Sequence, residues 1–111
     1  MNRPRRMGHA QEIVLQALAN GARYGFDAME ATGQPSGAVY PALAKLERLG
    51  YVRSRWEAPK IAERQKRPRR RYYAVTPAGK KALSEVAARY RAFQQAMPKA
   101  LRATKTIHET G

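Results

Sequence analysis

Cysteine is missing from the 111-residue sequence, which removes disulfides, thiolate metal sites and cysteine nucleophiles together. Histidine is nearly missing. His9 and His108 stand near opposite ends of the chain, with no carboxylate cluster at ligand spacing beside either, so neither a metal centre nor a histidine-based catalytic site is expected. No apolar run approaches the roughly 18 to 20 residues of a membrane span. No apolar h-region follows Arg3, Arg5 and Arg6, so a secretory leader or membrane anchor is not expected either. No cofactor motif is present.

Acidic residues are also scarce. Eight Asp and Glu face twenty-two Lys and Arg, a formal net charge of +14. A field of one sign on so small a body points to a polyanionic partner, because solubility alone seldom requires such an imbalance. The length suits a single domain with one modest core, near the size at which a dimer interface becomes a useful stabiliser.

The ordered pattern begins after a polar, basic arm at residues 1–6. From Met7 to Asn20, Ala10, Ile13, Val14, Ala17 and Leu18 follow helical spacing, and Asn20-Gly21 supplies a stop. Phe26 to Thr32 allows a short second helix closed by Gly33. A third is expected from Ser36, as N-cap, to Leu49, with Gly50 beyond it. Its buried stripe is Val39, Leu43 and Leu46 with Ala42 and Leu49 flanking, and the opposite side carries Gly37, Tyr40, Pro41, Ala44, Lys45 and Arg48. Pro41 predicts a bent or tight first turn, since it removes the bond to the Gly37 carbonyl.

Tyr51 to Glu57 alternates Val52, Ser54 and Trp56 against Tyr51, Arg53 and Arg55, the signature of a strand with one polar side. Arg69 to Thr76 is its expected partner, with Tyr73 and Val75 inward. Trp56 is assigned to the core or an interface rather than to a stacking platform. The connection holds Pro59 and Pro68 and is too long for a tight turn, so a mobile tip is expected. Seven of its residues from Lys60 to Arg71 are basic against the single acid Glu63. Thr76 and Pro77 then open a last helix in which Leu83, Val86, Tyr90, Phe93 and Met97 step by three and four, a seam suited to a second copy of the chain. Pro98 ends or bends it, and 102–111 reads as a frayed tail.

Two helices, a third amphipathic helix and a basic hairpin describe a winged helix-turn-helix: mainly α with a small β-hairpin (α+β). The expected division is 1–6 basic arm, 7–76 DNA-binding domain, 77–101 dimerisation helix and 102–111 tail. A helix fits the major groove, where base edges differ, whereas Arg and Lys on a ribbon reach phosphates or the minor groove. The candidate contacts to double-stranded DNA are therefore Ser36, Gly37, Ala38, Tyr40, Pro41, Lys45 and Arg48 on the helix, with Lys66, Arg67, Arg69, Arg70 and Arg71 on the wing. The same charge and size suit a small RNA-binding or ribonucleoprotein component, which remains the alternative. An enzyme is not expected, for want of any constellation of acids, ligands and nucleophile.

Gly25, the segment Gly37-Ala38-Val39-Tyr40-Pro41-Ala42-Leu43 with Leu46-Glu47 and Gly50, and Arg71-Tyr72-Tyr73-Ala74-Val75-Thr76 leading to Gly79 together resemble the PadR family of bacterial transcriptional regulators. The resemblance spans roughly residues 10–83. It implies a homodimer built by the C-terminal helix, of the compact branch, that binds a palindromic operator and represses a nearby promoter in the bacterial cytoplasm, at the nucleoid. It further implies that Tyr40 and the wing's basic residues touch DNA, and that Pro41 is tolerated in the recognition helix. Some members release DNA on binding a small aromatic effector, a role for which this chain offers Tyr90 and Phe93. Ala38 stands where the family often has threonine, which bears on the operator and not on the fold.

Overall fold

The computed structural model describes residues 7–98; the arm, the tail and the end of the last expected helix lie outside the described residues. The elements run α1 (His9–Ala19), α2 (Gly25–Thr32), α3 (Ser36–Arg48), β1 (Val52–Trp56), α4 (Pro59–Arg64), β2 (Arg71–Val75) and α5 (Pro77–Ala96). Among the described residues no helix is long and apolar enough to cross a membrane.

The core lies where α1, α2 and α3 converge. Val14, Leu15, Val39, Leu43 and Leu46 are fully buried, with Leu18, Ala28, Ala42 and Val52 packed among them. The three-and-four spacing of apolar residues on α1 and α3 places each of them on the facing stripe. Tyr73, Val75 and Leu83 close the cluster from the hairpin and from α5. Leu83, expected at a dimer seam, is therefore half-buried against the chain's own core.

Helix ends follow local chemistry. Gln11 reaches back to accept a hydrogen bond from the Gly8 amide ahead of α1. Gly33 ends α2 with φ of 72°, the left-handed region where only a glycine is unstrained. The Thr32 hydroxyl donates to the Ala28 carbonyl at 2.7 Å and accepts from the Gln34 amide at 3.1 Å, shaping the turn into α3. Ser36 is not the cap it was expected to be: Pro35 holds the N-cap position in extended conformation, and no side chain caps α3. Helix α3 continues through Pro41 without interruption.

The hairpin pairs β1 and β2 antiparallel, Val52 opposite Val75, Ser54 opposite Tyr73 and Trp56 opposite Arg71. On the outer edge of β2, Tyr24 forms an isolated bridge with Tyr72, and the Tyr73 amide donates to the Arg23 carbonyl at 2.8 Å. The connection, expected as a mobile tip, holds a six-residue helix, α4. Pro59 supplies the fixed first-turn φ of α4, Ala62 is buried, and the chain leaves the helix through Lys66, a non-glycine residue at φ of 54°. Trp56, expected in the core or an interface, is 53% exposed because it lies at the far end of β1, past the last core residue on its face.

Thr76 caps α5, its hydroxyl accepting from the Gly79 amide at 3.1 Å and donating to the Gly50 carbonyl at 2.6 Å. Gly79 sits directly against the backbone carbonyl of Tyr51 and a methyl of Val75, so a Cβ there has no space. Backbone, not a flexible side chain, blocks the position. Gly79→Ala is expected to destabilise the fold by about 1–3 kcal/mol, the usual cost of overpacking, measured by urea denaturation followed by circular dichroism.

Candidate nucleic-acid interface

The solvent side of α3 is a continuous stripe. Ser36, Gly37, Tyr40, Pro41, Lys45 and Arg48 are exposed, as is Ala44 between them, while Ala38 is half-buried. The buried stripe on the opposite side sets the rotation of the helix, so these side chains lie towards solvent. Tyr40 also has a close neighbour within the chain. That neighbour is Gly25: the Tyr40 ring covers its Cα so closely that any side chain at 25 would collide with it. Glycine at the start of α2 is thereby explained by an aromatic residue on α3. Tyr40 remains half-exposed.

The wing is attached to α3 through Glu47. Its carboxylate accepts from the Ser54 hydroxyl at 2.6 Å and lies 3.5 Å from an Arg71 guanidinium nitrogen, and Arg71 also donates twice to the Ser54 oxygen at 3.0 and 2.8 Å. Arg71, opposite Trp56 at the far end of the strand pair, thus reaches back to brace the returning strand to α3.

At the other end one buried carboxylate organises the basic segment. Glu57 is 3% exposed. Arg67 donates to both of its oxygens at 2.7 and 2.8 Å, the Tyr72 hydroxyl donates at 3.1 Å, and the Arg70 amide approaches at 3.3 Å. Arg69 donates to the Glu57 backbone carbonyl at 2.9 Å. A bidentate guanidinium on a carboxylate is among the stronger pairs available to a protein. These contacts, the Arg67 hydrogen bonds foremost and against the opposing effect of burial, lower the Glu57 carboxyl from its usual 4.5 to about 2.

The candidate wing residues therefore fall into two groups. Arg67 pairs with the Glu57 carboxylate and Arg71 with Glu47 of α3, whereas the side chains of Lys66, Arg69 and Arg70 form no ion pair with a carboxylate among the described residues. Arg69 and Arg71 lie over the Trp56 ring at 5.5 and 5.3 Å, and Arg70 lies over Tyr24 at 4.3 Å. A guanidinium over an aromatic face keeps its in-plane N–H donors available. Expected as one mobile basic run, the segment is a set of placed cations. The signal in the sequence was Glu57, an acid with an aromatic before it and four arginines in the segment that returns to it.

On α5, Val86 is half-buried near α1, and Arg89 lies 3.4 Å from Glu12 of α1. Tyr90 and Phe93 are 55% and 60% exposed, with Met97 half-buried beyond them. A groove of about 1140 Å³ between α1, α2 and α5 is lined by Ile13, Ala17, Asp27, Val86 and Tyr90 among others. Among the described residues no cluster of His, Asp and Glu could hold a metal ion.

An exposed helix stripe beside a pre-formed basic hairpin, on a three-helix core, defines a winged-helix DNA-binding protein. The chain belongs to the transcriptional regulator PadR-like family, whose model matches residues 14–85. It is a DNA-binding transcriptional regulator. Its fold is similar to that of a PadR family transcription regulator from Clostridium difficile R20291, with a TM-score of 0.72 at 21% identity over 85% of this chain and 99% of that one. A transcriptional regulator from Clostridium thermocellum aligns with a TM-score of 0.62 at 25% identity, covering 79% of this chain and 85% of that one. BpsR from Bordetella bronchiseptica, whose DNA binding is regulated by 6-hydroxynicotinic acid, aligns with a TM-score of 0.65 at 20% identity, covering 92% and 76%. No curated protein sequence matches the chain.

Because the Glu57 carboxyl is lowered in the folded protein, its contribution to stability is complete above pH ~4.5 and is lost as pH falls from there towards 2. Hydrogen exchange of the 57–72 amides is expected to accelerate over that window relative to those of α1, and Glu57→Gln is expected to show fast exchange already at neutral pH with little further change on acidification.

Proposed function

We propose that the protein acts as a homodimer on a palindromic operator, as a repressor of a nearby promoter at the bacterial nucleoid. Helix α3 would enter the major groove, with Tyr40 and the residues around Ser36, Gly37, Ala38 and Pro41 against the backbone and groove wall and with Lys45 and Arg48 reaching bases or phosphates. Lys66, Arg69 and Arg70 would lie on the flanking backbone, with Arg67 and Arg71 acting from within the wing. Half-sites one helical turn apart, about 10 bp centre to centre, follow from two recognition helices related by a dyad.

The observation that carries this reading is the stripe on α3. Its side chains lie exposed on a helix whose other face is fully committed to the core, next to a wing whose cations are already in place. Duplex DNA has the matching groove and charge, and structured RNA does not offer a major groove that a helix can enter. Selection of bound duplexes from a random library should return a palindrome. Lys45→Ala with Arg48→Ala is expected to reduce discrimination against mismatched half-sites by about 1–3 kcal/mol for each base no longer read, measured as the ratio of operator to random-duplex affinity. Equal binding of duplex DNA and structured RNA by the wild-type chain would overturn the reading.

The dimer reading rests on Tyr90 and Phe93, large apolar residues turned to solvent beyond the point where α5 leaves its own core, with half-buried Met97 at the end of the helix. Tyr90→Asp with Phe93→Asp is expected to halve the mass measured by light scattering and to weaken operator binding. The groove between α1, α2 and α5 opens beside this seam. A small aromatic effector seated against Ile13, Val86 and Tyr90 would there bias how two copies meet.

A further inference from the structure

The hairpin has a second basic face, outside the set of α3 and wing residues assigned to DNA so far. Strand alternation sends Ser54, Trp56, Arg71 and Tyr73 to the side of α3, and Arg53, Arg55, Tyr72 and Ala74 to the opposite side. A groove of about 710 Å³ opens on that opposite side, and the only carboxylate lining it is Glu57, which is already bound to Arg67. Arg53 and Arg55 are both exposed, and neither has a carboxylate partner among the described residues.

The guanidiniums here are placed rather than loose. Arg55 lies over the Tyr72 ring at 5.2 Å, Arg70 over Tyr24 at 4.3 Å, and Arg23 over Tyr24 at 5.8 Å. Tyr24 and Tyr72 themselves meet edge to face at 5.7 Å, and Arg23 also lies 3.6 Å from Asp27. With cations over these rings, the tyrosines are poorly available to stack on bases, while the guanidinium N–H groups remain open to an oxyanion. Arg53 and Arg55 are two residues apart on one strand, ~6.7 Å along its axis, a separation comparable with that of successive phosphates on a nucleic-acid strand.

We propose that this outer face of the wing, with Arg53 and Arg55 at its centre and Arg23 flanking, is a phosphate-backbone contact for duplex DNA that adds these three arginines to α3 and the wing residues already named, with Arg70 at the border of the two surfaces. Tyr24 and Tyr72 are its positioning residues. The proposal rests on the reading of the chain as a duplex-binding regulator and adds a surface to it. Such a surface contributes affinity and salt dependence without sequence preference, because phosphates carry no base identity.

The test compares the full-length protein with Arg53→Ala/Arg55→Ala, Arg53→Lys/Arg55→Lys and Lys45→Ala/Arg48→Ala, by fluorescence anisotropy on a random-sequence duplex and on a selected operator between 50 and 200 mM salt. Removing two phosphate-binding cations should lower the slope of log K against log salt by about 1.8 and weaken both duplexes by the same factor, with the lysine pair restoring the slope. An unchanged slope in the alanine pair, alongside weakened binding by Lys45→Ala/Arg48→Ala, would overturn the outer-face contact and leave the α3 reading standing. A reduced slope in the Arg53/Arg55 alanine pair with no effect of the α3 pair on either duplex would support the outer face while sinking α3 as the reading helix. Binding of inorganic pyrophosphate at this face, seen by NMR shifts of the Tyr72 and Arg55 resonances, together with an unchanged DNA slope, would make it a small-anion site and overturn the proposal.

Discussion

A single buried carboxylate decides what the basic hairpin is. In a chain with so few acids, Glu57 could have been one more solvated charge. Instead it gathers Arg67, the Tyr72 hydroxyl and the Arg70 amide, while its own carbonyl holds Arg69. Removing two charges from water is costly, and the pair is sustained because the remaining lone pairs are satisfied as well. With that knot in place the connection between the strands has an inside, onto which α4 can fold Ala62. Without it, a segment dominated by like charges would have little reason to stay compact.

Aromatic residues complete the arrangement of cations. Trp56, Tyr24 and Tyr72 contribute little to the central core, and their exposed or half-exposed rings would otherwise be a liability. Each carries at least one guanidinium, an interaction of about 0.5–1 kcal/mol at exposed sites. The arginines are thus placed on aromatic rings on two faces of the same ribbon. Glu47 performs the corresponding task towards α3, where it links that helix to Ser54 and Arg71 and so ties the wing to it.

The helices, the hairpin and the cap at Thr76 were legible in the sequence because each is written locally: apolar spacing, a glycine at a left-handed position, a hydroxyl ahead of a proline. What was not legible depends on contacts between distant positions. The helix in the wing is too short and polar for periodicity to reveal, and its stability comes from a pair ten residues apart. Arg67 and Arg71 are indistinguishable by sequence from Arg69 and Arg70, and only the folded contacts show that the first two pair with the carboxylates of Glu57 and Glu47. Trp56 lies outside the core, a position that alternation alone does not show, because it gives the face of a strand and not how far the core extends beneath it. Arg53 and Arg55 were visible as a polar edge, yet that they have no carboxylate partner among the described residues could be known only once the chain was folded. The PadR-like pattern at Gly25 and Tyr40 pointed to a pair of positions whose contact the structure explains, a ring laid over a bare Cα.

The fold of the wing also bears on the kinetics and calorimetry of binding. A disordered basic loop must be ordered on the DNA, and that reduction of chain freedom shows as a slow locking step and an enlarged heat-capacity change. Here α4 and the Glu57 knot are formed before any encounter. On the proposed reading the wing would meet the duplex already folded, so that its association would be governed by diffusion in the electrostatic field and by orientation.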